Sequence, residues 1–409
     1  MTIYEKYGLR KLINARGPAT VLGAARVDKN VREDIDKILA MPVEMWELQR
    51  KASEKISLLT GAQAGCVVGC AAAGIAIAVA ATLTGDDVGK TKELPIIKGT
   101  KNKVVIQKGH MTGAGDAPIS QVIKMTGANL IEVGEALDCA KFHLESALDE
   151  AIAAAIFVAL GNIFPPNLMH IKTFIKICKD KKVPVIVDAA GEKDFKYYTD
   201  MGADITIFSA QKWLGGATAG IIAGRKDLVH ACFLQELGIG RPMKVGKEGV
   251  MGVISAIDEW MKRDNNAIIK KQSIAAKNLK DNLDSIEGVS CQILNNSRSP
   301  SICLEVDINS QITNISAWEI VKNLGKSDPV IKMNHYNADL GKLVFDFSYL
   351  DEGDEIMIAN KMLSLFKNVK KYYKKYSDKP NFICREEIST RQDDLYDIMK
   401  KWLDKNPRK

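Results

Sequence analysis

Through the middle of the chain, short apolar runs alternate with stretches whose apolar residues recur three and four positions apart. That alternation predicts strands and helices in turn. The runs predicted as strands are 65–69, 103–107, 129–133, 155–160, 183–188, 204–209 and 220–223, and 168–181 carries helical spacing. Alternating strands and helices imply an α/β core with a mostly parallel sheet. Unbroken apolar strands such as Val185-Ile186-Val187 fit a sheet covered on both faces. After about residue 250 the pattern changes. A long helical stretch over 251–283 is followed by strand patterns at 290–294, 301–306 and 343–347 and a helix over 354–374. The expected organisation is an N-terminal arm and helix over 1–45, a large α/β domain over 46–255, a small α+β domain over 256–379 and an extension over 380–409. Within it a helix starts near Trp46.

Composition narrows the class. With 409 residues, 46% apolar and 26% charged, the chain has a normal globular balance. The net charge of +7 is concentrated near Lys367-Asn368-Val369-Lys370-Lys371-Tyr372-Tyr373-Lys374-Lys375. A nucleic-acid patch is one reading of such a run, and a solvated helix face is the other. The eight cysteines form no C-x-x-C pair, so free thiols in a reducing compartment are expected and zinc ligation is not. The first residues, MTIYEKYGLRKL, contain no apolar targeting stretch. The Ala- and Gly-rich run over 66–83 reads as a buried helix rather than a membrane span. A cytoplasmic protein without a metal is expected.

Candidate chemistry lies at the ends of the predicted strands, where open α/β sheets bind ligands. Lys212 follows the strand ending at Ser209 by three residues and is backed by Gly215 and Gly216. A Schiff-base lysine needs a strand end, a tight turn behind it and an amine that burial can neutralise. Asp188 ends the strand Val185-Ile186-Val187, 24 residues upstream, where a carboxylate can keep a pyridine nitrogen protonated. In Gly69-Cys70-Ala71-Ala72-Ala73-Gly74, small residues open a helix whose first amides suit a phosphate. His110 follows the strand 103–107 and could stack on a planar ring or handle a proton. Gly238 to Gly249 sets Arg241, Lys244 and Lys247 among four glycines. These cations could hold carboxylate or phosphate.

Taken together, Asn14-Ala15-Arg16-Gly17, Gly69–Gly74, Gln107-Lys108-Gly109-His110, Val187-Asp188-Ala189-Ala190 and Ser209–Lys212 resemble fold type I pyridoxal-phosphate enzymes. The resemblance covers roughly residues 8–350. Within them the chain resembles the group related to bacterial selenocysteine synthase (L-seryl-tRNA selenium transferase), and in it the D-glucosaminate-6-phosphate ammonia-lyases. The segment Gly238–Gly249 is similar to one in that subgroup. Trp213-Leu214-Gly215-Gly216 is more like the selenium transferases, and Leu160-Gly161-Asn162-Ile163-Phe164-Pro165-Pro166 departs from the ammonia-lyase pattern. The resemblance implies pyridoxal 5'-phosphate as cofactor, held by Lys212, Asp188, Cys70, Ala71, Ala72, Ser209 and His110. Lys212, Asp188 and His110 are the expected catalytic residues, and Arg241, Lys244 and Lys247 the expected substrate contacts. The expected reaction removes water and then ammonia from a 2-amino-3-hydroxy acid, an anionic amino acid or amino sugar acid, leaving a 2-keto-3-deoxy acid. A homodimer or higher homo-oligomer is implied. A selenium transfer on seryl-tRNA and a non-catalytic binding role are the alternatives, and the first of these needs an RNA-binding face.

Overall fold

The computed structural model describes residues 1–111, 113–114, 117–159, 167–295 and 301–368. Two compact units emerge. Among the described residues, one comprises 1–17, 265–295 and 301–368, and the other lies within 18–264. The expected boundaries therefore shift. The first 17 residues belong with the C-terminal part of the chain, and the large unit runs on to Asp264 rather than to 255.

The larger unit is built on a seven-stranded sheet: β1 Ala64–Val68, β2 Lys103–Gln107, β3 Asn129–Val133, β4 Ile152–Val158, β5 Val185–Asp188, β6 Ile205–Ser209 and β7 Gly220–Gly224. Their spatial order is β1-β7-β6-β5-β4-β2-β3. The pairs from β6 through β3 are parallel, and β7 runs antiparallel to both its neighbours. The sheet is thus mostly parallel, as the apolar runs predict.

Alternation along each strand divides the core between two faces. Val105, Val185, Val187 and Phe208 join the Met45–Thr60 and Lys247–Lys262 helices through Leu48, Ile56, Val250 and Val253. Val104, Ile106, Ile186, Ile205 and Ile207 face the helix Ala71–Thr84, whose Ile75, Ile77 and Val79 are buried with them. That helix is apolar on nearly every side, as befits one enclosed by protein. Residues two apart share a face. Asp188 therefore lies on the face of Ile186, and Ser209 on that of Ile205 and Ile207, the face that carries the Ala71–Thr84 helix.

The smaller unit combines an antiparallel sheet of Val289–Asn295, Ile302–Ile308 and Lys342–Asp346 with a parallel pair, Leu12–Ala15 and Val330–Met333. Strict alternation of buried and half-buried residues in Ile302–Ile308 marks one covered face. Ala276, Leu279 and Leu283 of the Asn265–Leu283 helix pack there with Ile358 and Met362 of Asp354–Lys367.

Several expectations need correction. The N-terminal arm and helix expected over 1–45 include the helix Lys29–Leu39 and also a strand, Leu12–Ala15, which was not expected. The helical stretch over 251–283 is two helices, because Arg263 leaves the first in an extended conformation (φ −66°, ψ 125°). The basic run beyond Asn368, the extension over 380–409 and the segment 160–166 lie outside the described residues.

Candidate active site

Asp188, Ser209 and the turn at Cys70 come together at the carboxyl edge of the sheet. In register, Ser209 stands opposite Gly220, and Gly220 opposite Val68. The end of β1, the start of β7 and the end of β6 therefore lie side by side. A Cβ at Gly220 would stand 2.4 Å from the carbonyl carbon and oxygen of Cys70 and 2.8 Å from the Ala71 nitrogen. Only glycine lets β7 approach the start of the helix this closely. Cys70 is the N-cap of that helix, its Sγ accepting from the Ala73 amide at 3.4 Å. The amides of Ala71 and Ala72 lie in the turn that a helix leaves without internal acceptors, at its positive end. This arrangement suits a phosphate.

Asp188 is buried, and its Oδ1 accepts from the Ala190 amide at 3.1 Å. Burial raises its carboxyl above the ordinary range, while the Ala190 amide and the Lys212 charge oppose that shift. Burial lowers the Lys212 amine, and Asp188 opposes it. The two groups are therefore near enough to act on one another's charge. Lys212 sits in a loop folded back on itself: Ala210 N donates to Ala219 O at 3.0 Å, Gly216 N to Ala210 O at 2.9 Å and Gly215 N to Lys212 O at 3.2 Å.

His110 is fully buried in the 3-10 turn after β2. Its Nδ1 accepts from the Val158 amide at 3.2 Å, and its ring meets Phe157 edge-on at 4.5 Å. Val158 is the register partner of Asp188, so the imidazole is anchored one strand away from that carboxylate. With Nδ1 accepting, the proton of the neutral ring resides on Nε2. Among the described residues Nε2 is buried without a hydrogen-bond partner. Burial lowers its pKa to about 4. The ring is therefore neutral near pH 7, with its proton on Nε2.

The cationic segment divides. Arg241 is exposed, with its Nη1 3.7 Å from Glu236 Oε2. Lys244 is exposed, and its backbone crosses the sheet edge: a Cβ at Gly69 would meet the carbonyl oxygens of Met243 at 2.7 Å and Lys244 at 3.4 Å. Lys247 departs from expectation. Its Nζ donates to the carbonyls of Leu39 at 3.0 Å and Met41 at 2.6 Å. It satisfies carbonyls at the end of the Lys29–Leu39 helix and is committed there rather than to an anion.

Residues 19–316 match the family described as L-seryl-tRNA selenium transferase. The chain belongs to that family. It is 30% identical over 361 residues to a D-glucosaminate-6-phosphate ammonia lyase from Salmonella typhimurium, covering 88% of this chain and 96% of that one. It is 31% identical over 368 residues to a 5'-C-glycyluridine monooxygenase-decarboxylase from a Streptomyces species, covering 88% and 91%. A solved D-glucosaminate-6-phosphate ammonia-lyase structure superimposes with a TM-score of 0.82 at 29% identity, covering 90% of this chain and 99% of that one. The chain is an enzyme with the type I fold of pyridoxal-phosphate-dependent enzymes.

The donor set fits that cofactor. Helix amides suit a phosphate, a buried carboxylate can hold a ring-nitrogen proton, and a part-buried amine has its pKa lowered by desolvation. The Nε2–H of His110, without a partner among the described residues, supplies a further buried donor. One contributor, Gly220, is not among the candidates read from the sequence, although a glycine opening a strand is a signal of close backbone approach.

Among the described residues no three metal-binding side chains cluster, and no helix is long and apolar enough to cross a membrane.

Proposed function

We propose that the chain is an ammonia-lyase acting on an anionic 2-amino-3-hydroxy acid, an amino sugar acid such as D-glucosaminate 6-phosphate. The observation that carries the reading is the buried Asp188 with the part-buried Lys212 acting on its charge at one sheet edge, in a chain whose matches to ammonia lyases cover 88–90% of its length. Bound pyridoxal phosphate would supply a ring that draws electron density from the substrate α-carbon. Ala71 and Ala72 would hold its phosphate through their amides, with Cys70 and Ser209 beside them. Asp188 would keep a proton on its ring nitrogen. Burial favours the neutral amine of Lys212, which can bond the cofactor's carbonyl carbon and, once displaced, accept the α-proton at Nζ. His110 would offer Nε2–H to a bound oxygen without titrating near neutrality. Arg241 and Lys244 are the candidates for the substrate's carboxylate or phosphate. Loss of the 3-hydroxyl as water would give an enamine, whose tautomerisation and hydrolysis take up one water, release ammonia and leave a 2-keto-3-deoxy acid.

The reading includes a homodimer or higher homo-oligomer in the cytoplasm. Large apolar side chains such as Trp46, 61% exposed, and Leu39, 51% exposed, stand open on the single chain, and such exposure marks interaction surfaces when it is contiguous. The described cysteines are free, which suits a reducing compartment.

A second reading, oxidative decarboxylation of a nucleoside-linked amino acid, rests on the equally similar monooxygenase-decarboxylase. Both relatives' names denote an α-amino acid joined to a sugar-derived group, so the two readings share the α-carbon chemistry and differ in their use of oxygen. The test is incubation with a panel of amino sugar acids and 5'-C-glycyluridine, in air and without oxygen. The lyase reading expects equal ammonia and 2-keto acid in both atmospheres and no requirement for RNA. Oxygen-dependent release of carbon dioxide would replace it with the second reading.

A further inference from the structure

Lys212 and Asp188 sit on separate loops beyond separate strands, and one side chain ties those loops together. Trp213 is buried at 8% exposure. Its Nε1–H donates to the carbonyl of Gly191 at 2.8 Å. Gly191 lies three residues beyond Asp188, in the same loop that holds the Asp188 carboxylate through Ala190. The ammonium of Lys193, two residues further on, lies 3.7 Å from the centroid of the indole ring. A cation over an indole face is attracted by its π density, so the Asp188 loop grips the tryptophan at both its edge and its face. The backbone is held as well: Arg263 Nη1 donates to Trp213 O at 3.4 Å. The Arg263 guanidinium covers Trp260 at 4.8 Å, Trp260 meets Phe195 at 5.1 Å, and Phe195 meets Phe208 of β6 at 5.0 Å. A continuous aromatic and cationic brace thus runs from the Lys212 loop back to the strand that precedes it.

We infer that Trp213 is a positioning residue, fixing the Lys212 loop against the Asp188 loop so that the lysine amine stays part-buried beside the carboxylate. The ladder between β5 and β6 cannot do this alone, because its last register pair joins Asp188 to Ile207, five residues before Lys212. A loop released from Gly191 would admit water around the amine. Since burial is what lowers the Lys212 pKa, hydration moves it back up towards the ordinary range. The neutral, nucleophilic fraction at neutral pH then falls.

This inference rests on the reading of Lys212 as the lysine that bonds the cofactor, and the experiment separates the two. Cofactor-free wild type, Trp213→Phe and Trp318→Phe are mixed with pyridoxal phosphate across a pH series. The rate at which the visible absorbance band appears is recorded, and the trapped lysine is mapped after borohydride reduction. Phenylalanine keeps an aromatic face for Lys193 and removes the indole N–H together with part of the ring. Trp318 provides the control, since it loses an equivalent bond, to Asp339 at 2.8 Å, in the other unit. The expected result is a capture profile displaced to higher pH in Trp213→Phe alone, with capture at pH 7 slowed about two- to twelvefold, the usual net worth of one neutral hydrogen bond. Steady-state turnover should lose kcat with KM nearly unchanged. An unchanged profile in Trp213→Phe, or the same displacement in Trp318→Phe, overturns the positioning role. Trapping at another lysine in wild type overturns the reading of Lys212 itself. Should Trp213→Phe fail to fold, Lys193→Met removes the cation from the ring and leaves the hydrogen bond. An upward displacement there supports the brace, and an unchanged profile overturns it.

Discussion

The neutral state assigned to His110 has a measurable consequence for stability. Its pKa falls from 6.5 to about 4 in the folded protein because burial disfavours the charged ring. In the unfolded chain the imidazole is solvated and keeps the ordinary value, so between those two pKa values the unfolded state binds more protons. Stability from this site is therefore complete above pH 6.5 and is lost as pH falls towards 4. Linkage with these two values gives a loss of about 2 kcal/mol between pH 7.5 and pH 5. The perturbation is His110→Asn, whose Oδ1 can replace Nδ1 as the acceptor for Val158 N–H without titrating. The variant loses the edge contact with Phe157, which lowers its stability by a similar amount at every pH. The assay is urea unfolding of cofactor-free protein at a series of pH values, comparing slopes rather than absolute stabilities. Wild type should lose about 2 kcal/mol more than His110→Asn over that interval. Parallel curves would refute the claim that the folded ring stays neutral, and with it the assignment of Nε2 as a fixed donor.

Other outcomes follow from the same geometry. Asp188→Asn should retain bound cofactor and lose activity about ten- to a hundredfold, the worth of one charge-assisted hydrogen bond of roughly 1.5–3 kcal/mol. Near-normal turnover would make Asp188 a structural cap for Ala190. Gly220→Ala forces a methyl against the Cys70 carbonyl and should lower stability by about 1–3 kcal/mol, with cofactor affinity falling as well. Unaltered affinity in a spectral titration would remove the Cys70 turn from the phosphate site. Arg241→Ala should raise KM for the anionic substrate and leave the cofactor spectrum unchanged, since its guanidinium is exposed and only 3.7 Å from Glu236. A lost cofactor band would assign Arg241 to the cofactor instead.

Much of the larger unit was legible because its strands are continuous apolar runs. Those over 103–107 and 129–133 coincide with the observed strands to the residue. The strand-end positions of Asp188 and Lys212 follow from the same runs. What the sequence concealed depended on distant partners or on missing punctuation. Leu12–Ala15 becomes a strand by pairing with Val330–Met333, more than 300 residues away, and no local pattern announces that. The helix Lys29–Leu39 buries only Val31 and Ile38, too thin an apolar stripe to fix its bounds, although Asp28 caps it. The break at Arg263 has no glycine or proline to mark it. The helix Ala317–Leu324 has a local signature in its capping box, Ser316 with Glu319. At the site, residue type pointed to Lys247 as an anion ligand, whereas its reach to the Leu39 and Met41 carbonyls depends on the packing of two helices.

The central claim is that Lys212 is the lysine that bonds pyridoxal phosphate beside Asp188. Borohydride reduction of the loaded enzyme followed by peptide mapping tests it most directly. The account predicts a single pyridoxyl-bearing peptide containing Lys212, and no visible absorbance band in Lys212→Ala. A pyridoxyl group on any other lysine, or an unchanged band in that variant, would contradict it.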